Sequence, residues 1–547
     1  TAAATDLTAL DGKTSVNVGA TAVTTITGTQ AQVVAINVGT ITTSGNYAVT
    51  LSDTSLSAAA IKTVNTQNGT GAIDISSVTT ITSSTAADVL EIVNNTNSTF
   101  TTAANYAVTL SGISSASDVN TIVNDTTGIV TATVTEATAA SLNSALANAS
   151  STDALTLTLT DTALASADDL IALDGKTSVA VNATSVTSVT DTYADINTLY
   201  GLSGISGLGN EAVTISDTTS AANVNGILSK TSGVVTATVS SDTASNLNTA
   251  LTNATSTDAL TLTVTGTAAA TDLTALDGKT SVNVNAASIS LLTGTIVQVQ
   301  AAYTANTAGT ITGLADRAVK ISDSSVTATD LNNLNSATTG SIDASSVTSI
   351  SGLGSDLVGI YSASGEISGL GTENVSITDT GTLASSTVTS IDAYTTGTVT
   401  LSGAGSLTLS STAGQTVDLS GVTNSLSGTL TINDSTGDEI IIGTSGNDII
   451  NISSGSDTVN AGNGADTINI AIDNLDNADT VNGGNGTDSI NFSSSGTLTS
   501  TDLTNVSGVE NLNFSSGDDT FSFTDKADFD STTSEFSAVS GGSGNDS

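Results

Sequence analysis

Five residue types are missing from this chain of 547 residues: proline, cysteine, methionine, tryptophan and histidine. Without cysteine there are no disulfides and no thiolate metal sites, a pattern that fits a secreted protein stabilised by other means. With no histidine and a single arginine, Arg317, the usual groups for proton transfer and substrate clamping are scarce, and no enzymatic role is expected. Aromatics amount to 3%, so any core is thin and made of small side chains. No apolar run reaches the roughly 18 residues of a membrane span. No charged-then-apolar leader follows Thr1, and the missing initiator Met suggests a processed or partial chain.

Positive charge is scarce as well. Eight Lys and Arg stand against 51 Asp and Glu, and the formal net charge of −43 repels nucleic acid and anionic membranes. Neither nucleic acid nor membrane insertion is therefore expected. Divalent cations are favoured partners, because they offset the self-repulsion of a compact acidic chain.

What is present is Thr, Ala, Ser, Asn and Gly in repeating order. Hydrophobic residues make up 38% and are β-branched and regularly placed, which argues against disorder. The octapeptide Ala-Leu-Asp-Gly-Lys-Thr-Ser-Val occurs at Ala9, Ala172 and Ala275. A second family opens at Tyr106, Glu211 and Arg317 with Ala-Val-Thr-Leu or a close variant, 105 and 106 residues apart.

Alternating apolar residues, as in Val130 to Val134, Val213-Ile215 and Val235 to Val239, predict strands that begin mostly 22 to 25 residues apart. Longer gaps follow Val179, Val282 and Ile342, where an insertion or an extra rung could sit. Between strands, segments opening at Ser220, Thr243 and Thr327 have helical spacing and an N-cap residue. Gly128, Gly233 and Gly340 read as left-handed helix ends.

These features predict a β-solenoid: parallel strand-rich repeats with short helices on one side, about fifteen rungs before residue 400, one strand and one helix each. Asn and Thr columns are expected to form hydrogen-bonded ladders. The helical pattern vanishes at Thr398, giving a repeat solenoid over 1–397 and an all-β coil over 398–433. A nonapeptide region covers 434–491, and a C-terminal β region over 492–547 carries six of the seven Phe and leads into a further repeat.

The nonapeptides begin at Gly443, Ile452 and Ala461 and, after four inserted residues, at Asn474 and Gly483. Each has Asp at its sixth place (Asp448, Asp457, Asp466, Asp479, Asp488) and an apolar residue at its eighth (Ile450, Val459, Ile468, Val481, Ile490). Glycines let such a loop turn sharply with its carbonyls inward, the Asp adds charge, and the apolar residue plugs the interior.

This run resembles the repeats-in-toxin (RTX) family, whose Gly-Gly-x-Gly-x-Asp-x-apolar-x repeats form a calcium-binding parallel β-roll. The resemblance covers about 50 residues. It implies Ca²⁺ held by Asp448, Asp457, Asp466, Asp479 and Asp488, with carbonyls of Gly443, Gly446, Gly462, Gly464, Gly483 and Gly486. Loops two repeats apart are expected to pair Asp448 with Asp466, Asp457 with Asp479 and Asp466 with Asp488. About three or four ions follow. The second repeat (Ile452, Ser453) and the fourth (Asn474, Leu475, Asn477) depart from the glycine pattern and are expected to bind weakly or not at all. Upstream, Glu439 stands at the Asp position of a degenerate repeat, and Asp519 is placed similarly. The closing Gly541-Gly-Ser-Gly-Asn-Asp-Ser reads as the opening of another repeat, so the natural chain is expected to continue.

The Thr/Ala/Ser-rich body, these coils and the phrase Val506-Ser-Gly-Val-Glu-Asn-Leu-Asn-Phe also resemble bacterial surface-layer and large surface-repeat proteins. The resemblance implies an extracellular, cell-surface structural protein exported by type I secretion. Self-association into a lattice or filament, and cell-surface polysaccharide, are the expected partners. An adhesin stalk and the repeat region of a secreted enzyme are the alternatives. The Asp-Gly turns at Asp11, Asp174 and Asp277 read as structural turns ahead of strands, and the carboxylate pairs Asp168-Asp169 and Asp518-Asp519 as non-catalytic.

Overall fold

A computed structural model describes residues 1–38, 40–94, 99–522 and 536–547. Short strands and fifteen short α-helices alternate along it until the last α-helix, Ser385–Tyr394. The strand pairings are parallel. No helix is long and apolar enough to cross a membrane among the described residues. The chain forms two compact units, the first covering Thr1–Ser241, Leu247–Leu262 and Gly278–Val282, the second Asp242–Asn246, Thr263–Asp277 and Asn283–Ser547.

In the first unit, Val213 pairs with Val235 and Ala237 with Leu260, so like positions of successive repeats stack at the spacing the alternations predict. The strand Val130–Val134 buries Val130, Ala132 and Val134 and exposes the threonines between them. In the second unit, Ile350 pairs with Val375 and Val375 with Val399. Each buried Val, Leu or Ile contributes about 1.5–3 kcal/mol, and repetition rather than side-chain size builds the core.

Many repeats hold two strands before the helix, not the single strand expected. Ile342–Asp343 and Ser349–Gly352 precede the helix Gly354–Ser362. The corner between them is an Asx turn: Asp343 accepts from the Ser345 amide at 2.9 Å, as Asp74 does from Ser76 and Asn182 from Thr184. Each of the three longer gaps contains a further strand and helix, the longest being Ile296–Ala308.

The N-caps fall where expected: Ser220, Thr243 and Thr327 accept from the amides of Asn223, Asn246 and Asp330. A second layer of capping comes from the neighbouring repeat. Asp53, Asp161, Asp217, Asp323 and Asp379 accept from the first helical amides at Gln30, Ala139, Tyr193, Ile296 and Gly354. A carboxylate there also meets the positive end of the helix dipole. Many acidic residues thus tie one repeat to the next.

Two readings of turns are corrected. Gly128, Gly233 and Gly340 are not in the left-handed region. The helices end earlier, at Asp125, Leu228 and Ala337, and each glycine lies against the backbone of the preceding repeat, where a Cβ would strike the carbonyl of Tyr106, Glu211 or Arg317. The Asp-Gly-Lys segments do not open tight turns into strands. Asp11, Asp174 and Asp277 are the last residues of helices, and Lys176 and Lys279 reach back to the Leu146 and Leu251 carbonyls at 2.9 and 2.6 Å.

Candidate functional site

Beyond the last α-helix, two parallel sheets run through the second unit. One joins Thr416–Asp418, Ile440–Ile442, Thr458–Asn460, Thr480–Asn482 and Val506–Ser507. The other contains Leu430–Asn433, Asp448–Asn451, Thr467–Ile470, Ser489–Phe492, Asn511–Asn513 and Ala538–Ser540. Successive nonapeptides alternate between the sheets, so like positions stack 18 residues apart, or 22 where the four-residue insertion intervenes. Ile450, Val459, Ile468, Val481 and Ile490 are all buried. Asn433, Asn451, Asn469, Asn491 and Asn513 form a ladder of side-chain amides at 2.6–3.1 Å. Phe514 packs against Phe492 with tilted rings at 4.9 Å and against Phe521 edge-on at 4.6 Å, while Phe523 and Phe529 lie outside the described residues.

The acidic side chains fall into two columns. In the first, the Glu439 amide donates to Asp457 at 2.9 Å and the Asp457 amide to Asp479 at 2.8 Å. In the second, Asp448 donates to Asp466 and Asp466 to Asp488, both at 2.8 Å, and Asp488 to Glu510 at 2.6 Å. All five aspartates picked out from the sequence are at most 2% exposed. The pairs two repeats apart are brought together as the repeat arithmetic implied.

Their oxygens differ in one respect. Asp457, Asp466 and Asp488 each keep one buried oxygen, Oδ2, with no hydrogen-bond partner among the described residues. Asp448 is satisfied within its own loop by the Thr444 amide and hydroxyl, and Asp479 by the Asp476 amide. Burial raises all five carboxyls, Asp466 to about 7 and Asp457 to about 6, with neighbouring carboxylates adding to the rise in both.

Around the second column the glycines bring backbone together. Gly462, Gly464, Gly484 and Gly486 have positive φ, and a Cβ on them would strike or crowd the carbonyls of Thr444, Gly446, Gly462 and Gly464. Those carbonyls therefore face the next loop. Gly443 and Gly483 instead lie against the Ala461 and Gly508 carbonyls. A hard cation is bound by carboxylate and carbonyl oxygens. Buried carboxylate oxygens without donors, set among such carbonyls, fit that chemistry.

No known family model matches the chain, and no curated protein matches it. Among solved structures, a plant peptide hormone receptor, RGFR1 in complex with RGF2, aligns over 97% of this chain and 96% of that chain. Identity is 9% and the TM-score 0.14, a likeness that carries no argument.

Glu510 and Gly484 were missed by the sequence reading. The signal is Gly-x-Asp/Glu, since Gly508-Val-Glu510 repeats the spacing of Gly486-Thr-Asp488. The other carboxylate pairs diverge. Asp168 and Asp169 lie in the first turn of the helix Ala167–Asp174. Asp168 is exposed and raised by Asp191 and Asp195, with which it forms a surface cluster. Asp518 accepts from the Asn545 amide and Asp519 from that of Gly496.

Proposed function

We propose that this chain is an extracellular structural repeat protein, a β-solenoid whose C-terminal coils form an RTX-type β-roll loaded with Ca²⁺, and that it builds a surface layer or filament. The observation that carries the calcium reading is the buried Oδ2 of Asp457, Asp466 and Asp488, left without a donor in two columns of stacked carboxylates. Asp448, Asp479 and the loop carbonyls complete the proposed donor set. Calcium bound there supplies folding free energy, so the coils are loose where free calcium is scarce and ordered where it is abundant. That dependence suits type I export as a loose chain and folding outside the cell. The structural role draws on the stacked repeats and on a net charge of −43, which lets copies meet only through bridging cations. Cell-surface polysaccharide is the second proposed partner.

The test is calorimetry of the whole chain titrated with calcium chloride, followed by electron microscopy with calcium or chelator. Uptake of several ions and ordered assemblies that dissolve in chelator are expected. No uptake would sink the calcium reading, and assemblies indifferent to chelator the structural one.

A further inference from the structure

At the head of the nonapeptide coils, Asp434 joins Glu439 and Asp457 in a group of three carboxylates, a combination the repeat pattern does not predict. Asp434 follows the strand Leu430–Asn433, Glu439 precedes Ile440–Ile442, and Asp457 precedes Thr458–Asn460 one coil on. Oxygens from the three lie within 4.8 Å of one another. Glu439 and Asp457 are each 1% exposed.

Every one of them has one oxygen engaged and one free. Glu439 Oε1 accepts from the Gly414 amide at 2.7 Å and the Ser435 hydroxyl at 2.8 Å, while Oε2 has no partner among the described residues. Asp457 Oδ1 accepts from the Glu439 amide, and Oδ2 is free. Asp434 Oδ2 accepts from the Ser453 amide at 3.1 Å, and Oδ1 is free. The ion pairs among the described residues, made by Lys62, Arg317 and Lys320, all lie elsewhere. Three buried anionic oxygens facing one another with no cationic side chain are strongly unfavourable unless a cation joins them. All the donors are oxygens, which selects a hard ion over a soft one.

We propose that Asp434, Glu439 and Asp457 form a separate Ca²⁺ site at the head of the first column, built from three carboxylates instead of paired aspartates and loop carbonyls. It extends the calcium reading given above and rests on it. Ligand charge tunes calcium affinity, so this site fills first. Gly414 and Ser435 hold Glu439 from the coils before the nonapeptides, so filling it fixes the first repeat coil against a part of the fold that has no nonapeptides. The remaining loops then order upon it.

The experiment is a calcium titration of the full chain after chelator treatment, by calorimetry in competition with a chelator of known affinity. Wild type, Asp434→Asn and Asp488→Asn are compared. Asparagine keeps an acceptor for the Ser453 amide, and circular dichroism at saturating calcium checks the fold. If Asp434→Asn fails that check, Glu439→Gln, which keeps the acceptor for Gly414, replaces it.

The expected result is that Asp434→Asn loses about one ion per chain and weakens the tightest class about tenfold or more, whereas Asp488→Asn loses an ion from a weaker class. If Asp488→Asn loses an ion and Asp434→Asn keeps full stoichiometry and the tightest class, this site is overturned while the column reading stands. The cluster then holds a shared proton. Absence of any uptake by the wild type overturns both.

Discussion

A buried aspartate with one bonded and one free oxygen behaves oppositely with and without a cation, and Asp466 is the clearest case. Its Oδ1 accepts from the Asp448 amide, its Oδ2 has no partner among the described residues, and Asp448 and Asp488 flank it in the column. Asparagine at 466 keeps an acceptor for that amide and removes the buried charge. In chelator, Asp466→Asn is expected to leave stability unchanged or raise it by about 1 kcal/mol. In millimolar calcium the same change is expected to remove about 3 kcal/mol of ion-linked stabilisation, the amount one site supplies near a hundredfold excess over its Kd. Circular dichroism melts under the two conditions check this. A variant that melts lower in both would mean that Asp466 serves as a hydrogen-bonding residue alone. Asp479, whose oxygens are both satisfied within the fold, should show a much smaller calcium-dependent difference.

At the scale of helices and strands, stability resides in the joints between repeats. Asp323 caps the helix Ile296–Ala308 from the next repeat at 2.7 Å, in addition to the helix's own N-cap, Thr295. Asp323→Ala is expected to cost about 1 kcal/mol and Asp323→Asn much less, measured by denaturant unfolding. Gly340→Ala is expected to cost about 2 kcal/mol, because its Cβ would strike the Arg317 carbonyl and the repeats cannot separate locally to admit it. A cost below about 0.5 kcal/mol would show that this close approach relaxes easily. The same joints mark how far the fold was legible. Strands such as Val130–Val134 and N-caps such as Ser220 are local, so alternation and a single hydroxyl residue announce them. The second strand of many repeats was hidden because Asp or Asn two residues before Ser or Thr is common throughout so polar a chain, and only some instances form the Asx corner. Capping by Asp323 depends on which repeat becomes the neighbour, which no local window contains. The nonapeptide aspartates were legible as a set, but not the difference between Asp448 and Asp466. That difference lies in Thr444, which folds back on Asp448 where the corresponding Gly462 has no hydroxyl to offer.

For the molecule as a whole, protons and calcium compete for the same buried carboxylates against a background of 43 net negative charges. In the folded, calcium-free chain burial raises Asp434 and Asp466 to about 7 and Asp457 to about 6, whereas an unfolded chain ionises its aspartates near 4. Between those values the folded state holds protons that the unfolded state has released. Stability is therefore fully present below about pH 4 and falls as pH rises towards 7, by roughly 1.4 kcal/mol per pH unit for each such carboxyl. Self-repulsion of the remaining carboxylates acts in the same direction. Calcium reverses the trend, because it binds the ionised form and must displace the protons, so its contribution grows over the same interval. Melts in chelator and in millimolar calcium at pH 5, 6, 7 and 7.5 are expected to diverge steadily, nearly coincident at pH 5 and furthest apart at pH 7.5. Half-molar sodium chloride shortens the screening length to a few ångströms. It should therefore raise the calcium-free curve by weakening surface repulsion while leaving most of the gap in place, since buried oxygens are poorly screened. A gap that stayed constant across this range, or that salt alone closed, would place the effect of calcium on the exposed acidic surface and not in the columns.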